Sequence, residues 1–124
     1  MDRPDDNYEL HLDNKFGYST RFDVPGLVEA CDVPWFNQTL TQVNDCVLRL
    51  GIVKGEFHWH SHDEEDELFF VLEGTLLLDL EGETIELGPH QGYTVPRGVK
   101  HRTRAPEKVV MLMMERAGVD PRGD

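Results

Sequence analysis

The sequence predicts an all-β protein, an antiparallel sandwich or barrel with one short helix ahead of it, on three observations. After Trp35, runs of five to eight residues rich in Val, Ile, Leu, Phe and Thr follow one another. Gly, Pro and acidic clusters separate these runs at near-regular intervals, as turns separate strands. A helical signature is confined to one stretch before them. Among all-β architectures, a barrel small enough to hold one ligand suits a chain of 124 residues.

Taken in order, Met1 to Lys15 is polar, carries four Asp and His11, and reads as a loose arm lying on another surface. Asp23 to Cys31, DVPGLVEAC, has a capping Asp, a Pro in the first turn and apolar Leu27, Val28 and Ala30, which predicts a short helix. Strands are expected over 39–44, 46–54, 56–62, 67–73, 75–81, 83–87, 92–96, 100–105 and 108–115, with Glu81-Gly82 as a tight hairpin. The chain thus divides into an arm and helix (1–35), a barrel (36–116) and a polar tail (117–124).

Composition bounds the function. Lys and Arg total 12 against 24 Asp and Glu, a net charge of −12 that repels phosphate backbones, so nucleic acid is not an expected partner. Hydrophobic residues are 39% of the chain, enough for a single core. Cys31 and Cys46 have neither metal-knuckle nor CxxC spacing. The start, MDRPDDNYEL, lacks the basic and apolar regions of a signal peptide, and no apolar run reaches the length of a membrane span, so the cytoplasm is the expected compartment.

Histidine placement carries the functional reading. In GEFHWHSH, His58, His60 and His62 alternate, and residues two apart on a strand project to one face, where imidazoles can converge on one ion. A lone His is better read as exposed or hydrogen-bonded; three on one face among apolar neighbours favour metal ligation. Two registers fit a His-x-His pair followed by Glu: His58, His60 and Glu65, or His60, His62 and Glu67. Glu65 sits in the acidic stretch Asp63 to Asp66, which reads as a solvated turn, whereas Glu67 opens the apolar run LFFVL. The second register is therefore preferred, with His58 as a further polar residue of the pocket wall. Pro96-x-Gly98-x-x-His101 adds a tight turn that fixes where one more imidazole lands.

These residues resemble the cupins. His60, His62, Glu67 and Gly74 match the first cupin motif, and Pro96, Gly98 and His101 match the second. Lys54, His90 and Ala105 stand where the motifs have Gly, Gly and Asn. The resemblance spans about residues 43 to 115 and is closest to small single-domain, cupin type 2 conserved-barrel proteins. It implies a double-stranded β-helix, or jelly-roll barrel, and a metal held by His60, His62, Glu67 and His101. A His3Glu set suits Fe, Mn, Ni, Co or Zn and disfavours Ca and Mg, which prefer oxygen.

The resemblance also implies a small-molecule ligand or substrate and a homodimer. It spans dioxygenases, isomerases and lyases as well as binding proteins, so fold alone selects no reaction. Cupin lyases of dimethylsulfoniopropionate carry Tyr two residues after the ligand Glu, where this chain has Phe69, which lowers that reading. Period-two counting places His58, Phe69 and Tyr93 as pocket candidates. Arg97, Lys100, Arg102 and Arg104 form a modest basic patch near His101, read as a solvated edge able to attract a carboxylate. The two functional readings are a metal-dependent enzyme and a non-catalytic metal or ligand sensor.

Overall fold

The computed structural model describes residues 8–120, 122 and 123. Its elements are β1 (Tyr8–His11), α1 (Val24–Ala30), β2 (Trp35–Val43), β3 (Cys46–Glu56), β4 (Glu67–Glu73), β5 (Leu76–Leu80), β6 (Glu83–Leu87), β7 (Gly92–Val95) and β8 (His101–Arg116). The strands hydrogen-bond in the order β1-β2-β3-β8-β4-β7, with β5 joined to β8 and β6 to β5. Apart from the parallel β1–β2 pair, neighbours run antiparallel.

The long β8 organises the barrel. Its first stretch, from His101, pairs with β5 and with the end of β3, while its second, from Val109, pairs with β3 and β4. Between them Pro106, Glu107 and Lys108 are exposed, and Pro106 has no N–H to give a ladder. The expected strands 100–105 and 108–115 are therefore one strand, its pairing with β3 shifted across 106–108, that serves both sides of the core. Among the buried residues, Val53, Phe69, Val71, Leu78, Val109 and Met111 face inward. Each large aliphatic side chain buried there is worth roughly 1.5–3 kcal/mol.

The outer face of the sheet has its own cover. Leu40, Leu50, Ile52 and Val110 pack beneath Phe16, Phe22, Val24, Leu27 and Val28 from the arm and α1. Helix α1 starts where the sequence predicts: the Asp23 carboxylate accepts the Gly26 N–H at 2.9 Å, and Pro25 stands in the first turn, where its missing N–H costs nothing. The arm is less loose than expected. Tyr8–His11 forms β1 alongside β2, and Phe16 N–H donates to the Leu40 carbonyl at 2.9 Å. The part of the expected arm from Met1 to Asn7 lies outside the described residues.

Two other expectations change. No strand covers 57–62: β3 ends at Glu56, after Gly55 takes φ 109 and the register with β8 shifts, and only a single bridge joins His60 to His101. The expected polar tail folds back on its own barrel: Arg49 Nη2 donates to the Val119 carbonyl at 3.1 Å, and Val119 is buried. The hairpin at Glu81-Gly82 is as predicted, with Gly82 at φ 82.

Candidate metal centre

Backbone bonds hold the histidine segment against the start of β8. His60 N–H donates to the His101 carbonyl and His101 N–H to the His60 carbonyl, both at 2.9 Å, which locks the two residues opposite each other. Gly98, at the predicted positive φ of 77, turns the chain into β8, and its N–H donates to the His62 carbonyl at 2.8 Å. The two expected motifs are thus tied together by backbone. Glu67, the first residue of β4, points inward opposite Val95 of β7.

The side chains of His60, His62, Glu67 and His101 converge, with one potential ligand atom from each lying within 4.8 Å of all the others. His62, Glu67 and His101 are buried and His60 is half-buried. The sequence register with Glu67 is the one that gathers here. Glu65 instead pairs with Arg116 at 2.9 Å, away from the cluster.

Donor chemistry fits a cation. His60 Nδ1 lies 3.0 Å from the His58 carbonyl and His101 Nδ1 lies 3.0 Å from the Val99 carbonyl. A carbonyl only accepts, so each Nδ1 carries a proton and Nε2 is the ring atom left to face the cluster. His62 Nε2 and His101 Nε2 both lie 3.2 Å from Glu67 Oε1. Burial holds the His60 ring down at about 4, against the opposing effect of its bond to the His58 carbonyl. Burial pushes the Glu67 carboxyl up, but hydrogen bonds and charge from His101 and His62 together outweigh it and hold it at about 2. A neutral imidazole and an ionised carboxylate are the ligand forms a metal requires.

Beside the cluster lies a narrow cavity of ≈ 30 Å³, room for one or two waters. Trp35, Val53, Phe57, Phe69, Met111 and Met113 make most of its wall, with His60 and Glu67 also on it. Of the three expected pocket residues, Phe69 lines this cavity. His58 turns to the tail, where its Nε2 lies 2.7 Å from the Arg122 carbonyl. Tyr93 pairs with Phe69 across β4 and β7 and packs against the core. His90 occupies an exposed loop at φ 68.

Sequence reasoning missed a second charged group inside the barrel. Arg49 Nε donates to Glu115 Oε1 at 2.7 Å and Arg49 Nη1 to Thr39 Oγ1 at 2.7 Å, all three residues being buried. Burial, and next the nearby Glu67 charge, push Glu115 up to about 8 against the pull of Arg49. The signal was available: Arg49 and Glu115 are lone charges at inward positions of otherwise apolar runs. The basic patch is largely committed to acidic partners. Arg102 and Arg104 both bond Asp79, Arg102 also bonds Glu56, and Arg97 pairs with Asp66.

Fold and site together define a β-barrel with a buried His3Glu cluster beside an apolar cavity. The cupin domain family matches residues 50–115. The chain belongs to the cupin superfamily. It is 42% identical over 80 residues to the uncharacterized protein YdbB of Bacillus subtilis, covering 64% of this chain and 71% of YdbB. It is also 42% identical over 45 residues to the polyketide synthase CurC of Streptomyces cyaneus, covering 36% of this chain and 29% of CurC. Among solved structures, a cupin-2 domain protein from Shewanella frigidimarina superposes with a TM-score of 0.73 at 30% identity, covering 77% of this chain and 93% of the other.

Proposed function

We propose that His60, His62, Glu67 and His101 are the ligands of one divalent transition metal, Fe, Mn, Ni, Co or Zn, and that the protein is a metal-dependent enzyme of dioxygenase, isomerase or lyase type acting on a small organic molecule. The observation that carries this reading is the convergence of the four donor atoms within 4.8 Å beside a cavity. A bound metal of this kind supplies Lewis-acid or redox chemistry to a molecule that reaches it. The chain's part is to present Nε2 of His60 and His101 by tying down Nδ1, to supply one negative charge through Glu67, and to exclude water with the aromatic and methionine wall. The likeness to a polyketide synthase over 45 residues supports an organic ligand.

A second reading, a non-catalytic metal or ligand sensor, is favoured by one observation. Among the described residues, the cavity wall contains, apart from His60 and Glu67, no Asp, Glu, His, Lys, Tyr or Cys to move a proton. Elemental analysis combined with turnover assays separates the readings. Repeated turnover of a diketone, catechol or acidic sugar by metal-loaded protein supports the enzyme, and stoichiometric binding alone supports the sensor. A chain that neither retains nor rebinds metal contradicts both.

We extend the reading to a cytoplasmic homodimer. Cys31 and Cys46 are free thiols, as a reducing compartment keeps them, and no described helix is long and apolar enough to cross a membrane. Leu68, Phe70 and Met114 lie on the outer sheet face beyond the cluster that the arm covers, with Met114 39% exposed. Light scattering that returns the mass of one chain contradicts the dimer.

A further inference from the structure

We propose that Arg122 and Gly123 position the histidine segment for its metal: with Val119 and Asp120 they form a strap that fixes His58 and His60 and sets how long the ion is retained. The proposal rests on reading the His60, His62, Glu67 and His101 cluster as a metal site, and the strap residues supply no ligand atom to it.

The segment to be positioned lies between β3, which ends at Glu56, and β4, which begins at Glu67. It carries two of the four proposed ligands on a single bridge rather than a strand's ladder. Phe57 N–H donates to the Thr103 carbonyl at 2.9 Å, His60 and His101 exchange their pair of bonds, and the His62 carbonyl accepts from Gly98. These partners lie within residues 98–103, and the strap adds contacts from a separate part of the chain. Backbone held at separate points opens locally more readily than a continuous ladder, so those added contacts matter for the ligands.

The strap is anchored at its base and closed at its tip. Val119 is buried, and its carbonyl accepts from Arg49 Nη2 at 3.1 Å, which ties the strap to the buried Arg49–Glu115 pair. Further on, Gly123 N–H donates to the Asp120 carbonyl at 2.9 Å. The Asp120 carboxylate accepts from Arg122 N–H at 2.9 Å and from Arg122 Nε at 3.0 Å. This turn aims the Arg122 carbonyl at His58 Nε2, 2.7 Å away. A carbonyl only accepts, so His58 Nε2 is the donor.

Two paths run from the turn to His60. One passes through His58: its ring is fixed by Arg122, and its own carbonyl stands 3.0 Å from His60 Nδ1, orienting the ring whose Nε2 faces the cluster. The other is direct. A Cβ placed on residue 123 would lie 2.8 Å from His60 Cβ and 3.4 Å from its Cγ, so Gly123 backs the base of the ligand side chain. Gly123 also takes φ 112, a conformation that other residues resist. Space and backbone conformation thus make separate demands for glycine at the point where the strap meets a ligand.

The test compares the native chain with Gly123→Val, which disrupts the direct contact, His58→Phe, which keeps a ring but removes the donor, and His58→Gln, which keeps an N–H. Three quantities are read: the rate at which bound Co(II) passes to excess EDTA, the visible Co(II) spectrum, and amide hydrogen exchange over 57–62 in metal-free protein. Gly123→Val and His58→Phe are expected to speed Co(II) loss about tenfold, as loss of a partner behind a metal ligand does. They should also shift the visible bands and hasten exchange over 57–62, with exchange in β3 and β8 unchanged. His58→Gln should recover part of the native retention. Native loss rates and spectra in both Gly123→Val and His58→Phe overturn the strap and leave the metal reading standing. Should Gly123→Val fail to fold, His58→Phe decides. A native chain that takes up no Co(II) overturns the metal reading, and exchange then decides the strap: faster exchange in the variants keeps it as an anchor of the segment, and unchanged exchange removes it.

Discussion

Glu67 and Glu115 stand one residue beyond the pair Leu68–Met114 on neighbouring strands, both turned inward, and their surroundings drive them apart. Glu67 meets two imidazoles and is held ionised; Glu115 meets Arg49 yet is pushed up to about 8. Both are buried, so burial alone does not decide their charge. Glu67 has two histidine partners across one oxygen, while Glu115 has one guanidinium, an oxygen with no hydrogen-bond partner and the negative charge of Glu67 nearby. The difference divides the interior into a ligand layer that wants a cation and a support layer that already holds one.

The sharpest break of that contrast is to empty the ligand layer. His60→Ala or His101→Ala is expected to drop metal content from near one per chain to a small fraction. It should also abolish the rise in Tm on metal addition, worth about 3–4 kcal/mol at metal levels of 100 to 1,000 times Kd. Scanning calorimetry with and without metal reads this.

In the support layer, Arg49→Met strips Glu115, Thr39 and the Val119 carbonyl of a buried donor and is expected to cost roughly 1–3 kcal/mol, measured by urea unfolding.

Proton linkage gives a smaller effect with a definite sign. Folded Glu115 keeps its proton up to about pH 8, whereas its ordinary value is 4.5, so its stabilisation is full below 4.5 and is lost as pH rises through 8. His60 acts oppositely: held near 4 rather than 6.5, it costs stability as pH falls from 6.5 toward 4. The two oppose each other between 4.5 and 6.5. Metal-free protein should therefore lose roughly 1–2 kcal/mol between pH 6.5 and 8, and Glu115→Gln should flatten that decline. The smallest effect belongs to an exposed counterpart of the Arg49 pair: Arg97→Ala, which removes a solvent-screened contact with Asp66, should leave Tm unchanged.

The residues that carry the fold and the cluster were largely legible in the sequence, for identifiable reasons. Short apolar runs set off by Gly, Pro and acidic clusters marked what became β3 to β6, and Asp23 with Pro25 marked α1. Spacing in HWHSH, with Glu67 opening an apolar run and the turn at Gly98, marked the four residues that converge. What stayed hidden depends on long-range geometry. β1 is a polar stretch paired through its backbone, which leaves no periodicity. Pro106 within β8 reads locally as a break between strands. His60 and His62 reach one cluster without forming a strand, held opposite β8 by the His60–His101 bridge, while His58 turns to the tail. Arg49 and Glu115 are 66 residues apart, so their pairing appears only once β3 and β8 are side by side.

Titration of metal-free protein with Co(II), followed by dialysis and elemental analysis, tests the central claim most directly, because the visible spectrum reports ligation by nitrogen and oxygen donors. The account predicts saturation at one ion per chain, retained through dialysis, in the native chain and its loss in His101→Ala. Failure of the native chain to saturate, or equal uptake by both, would contradict it.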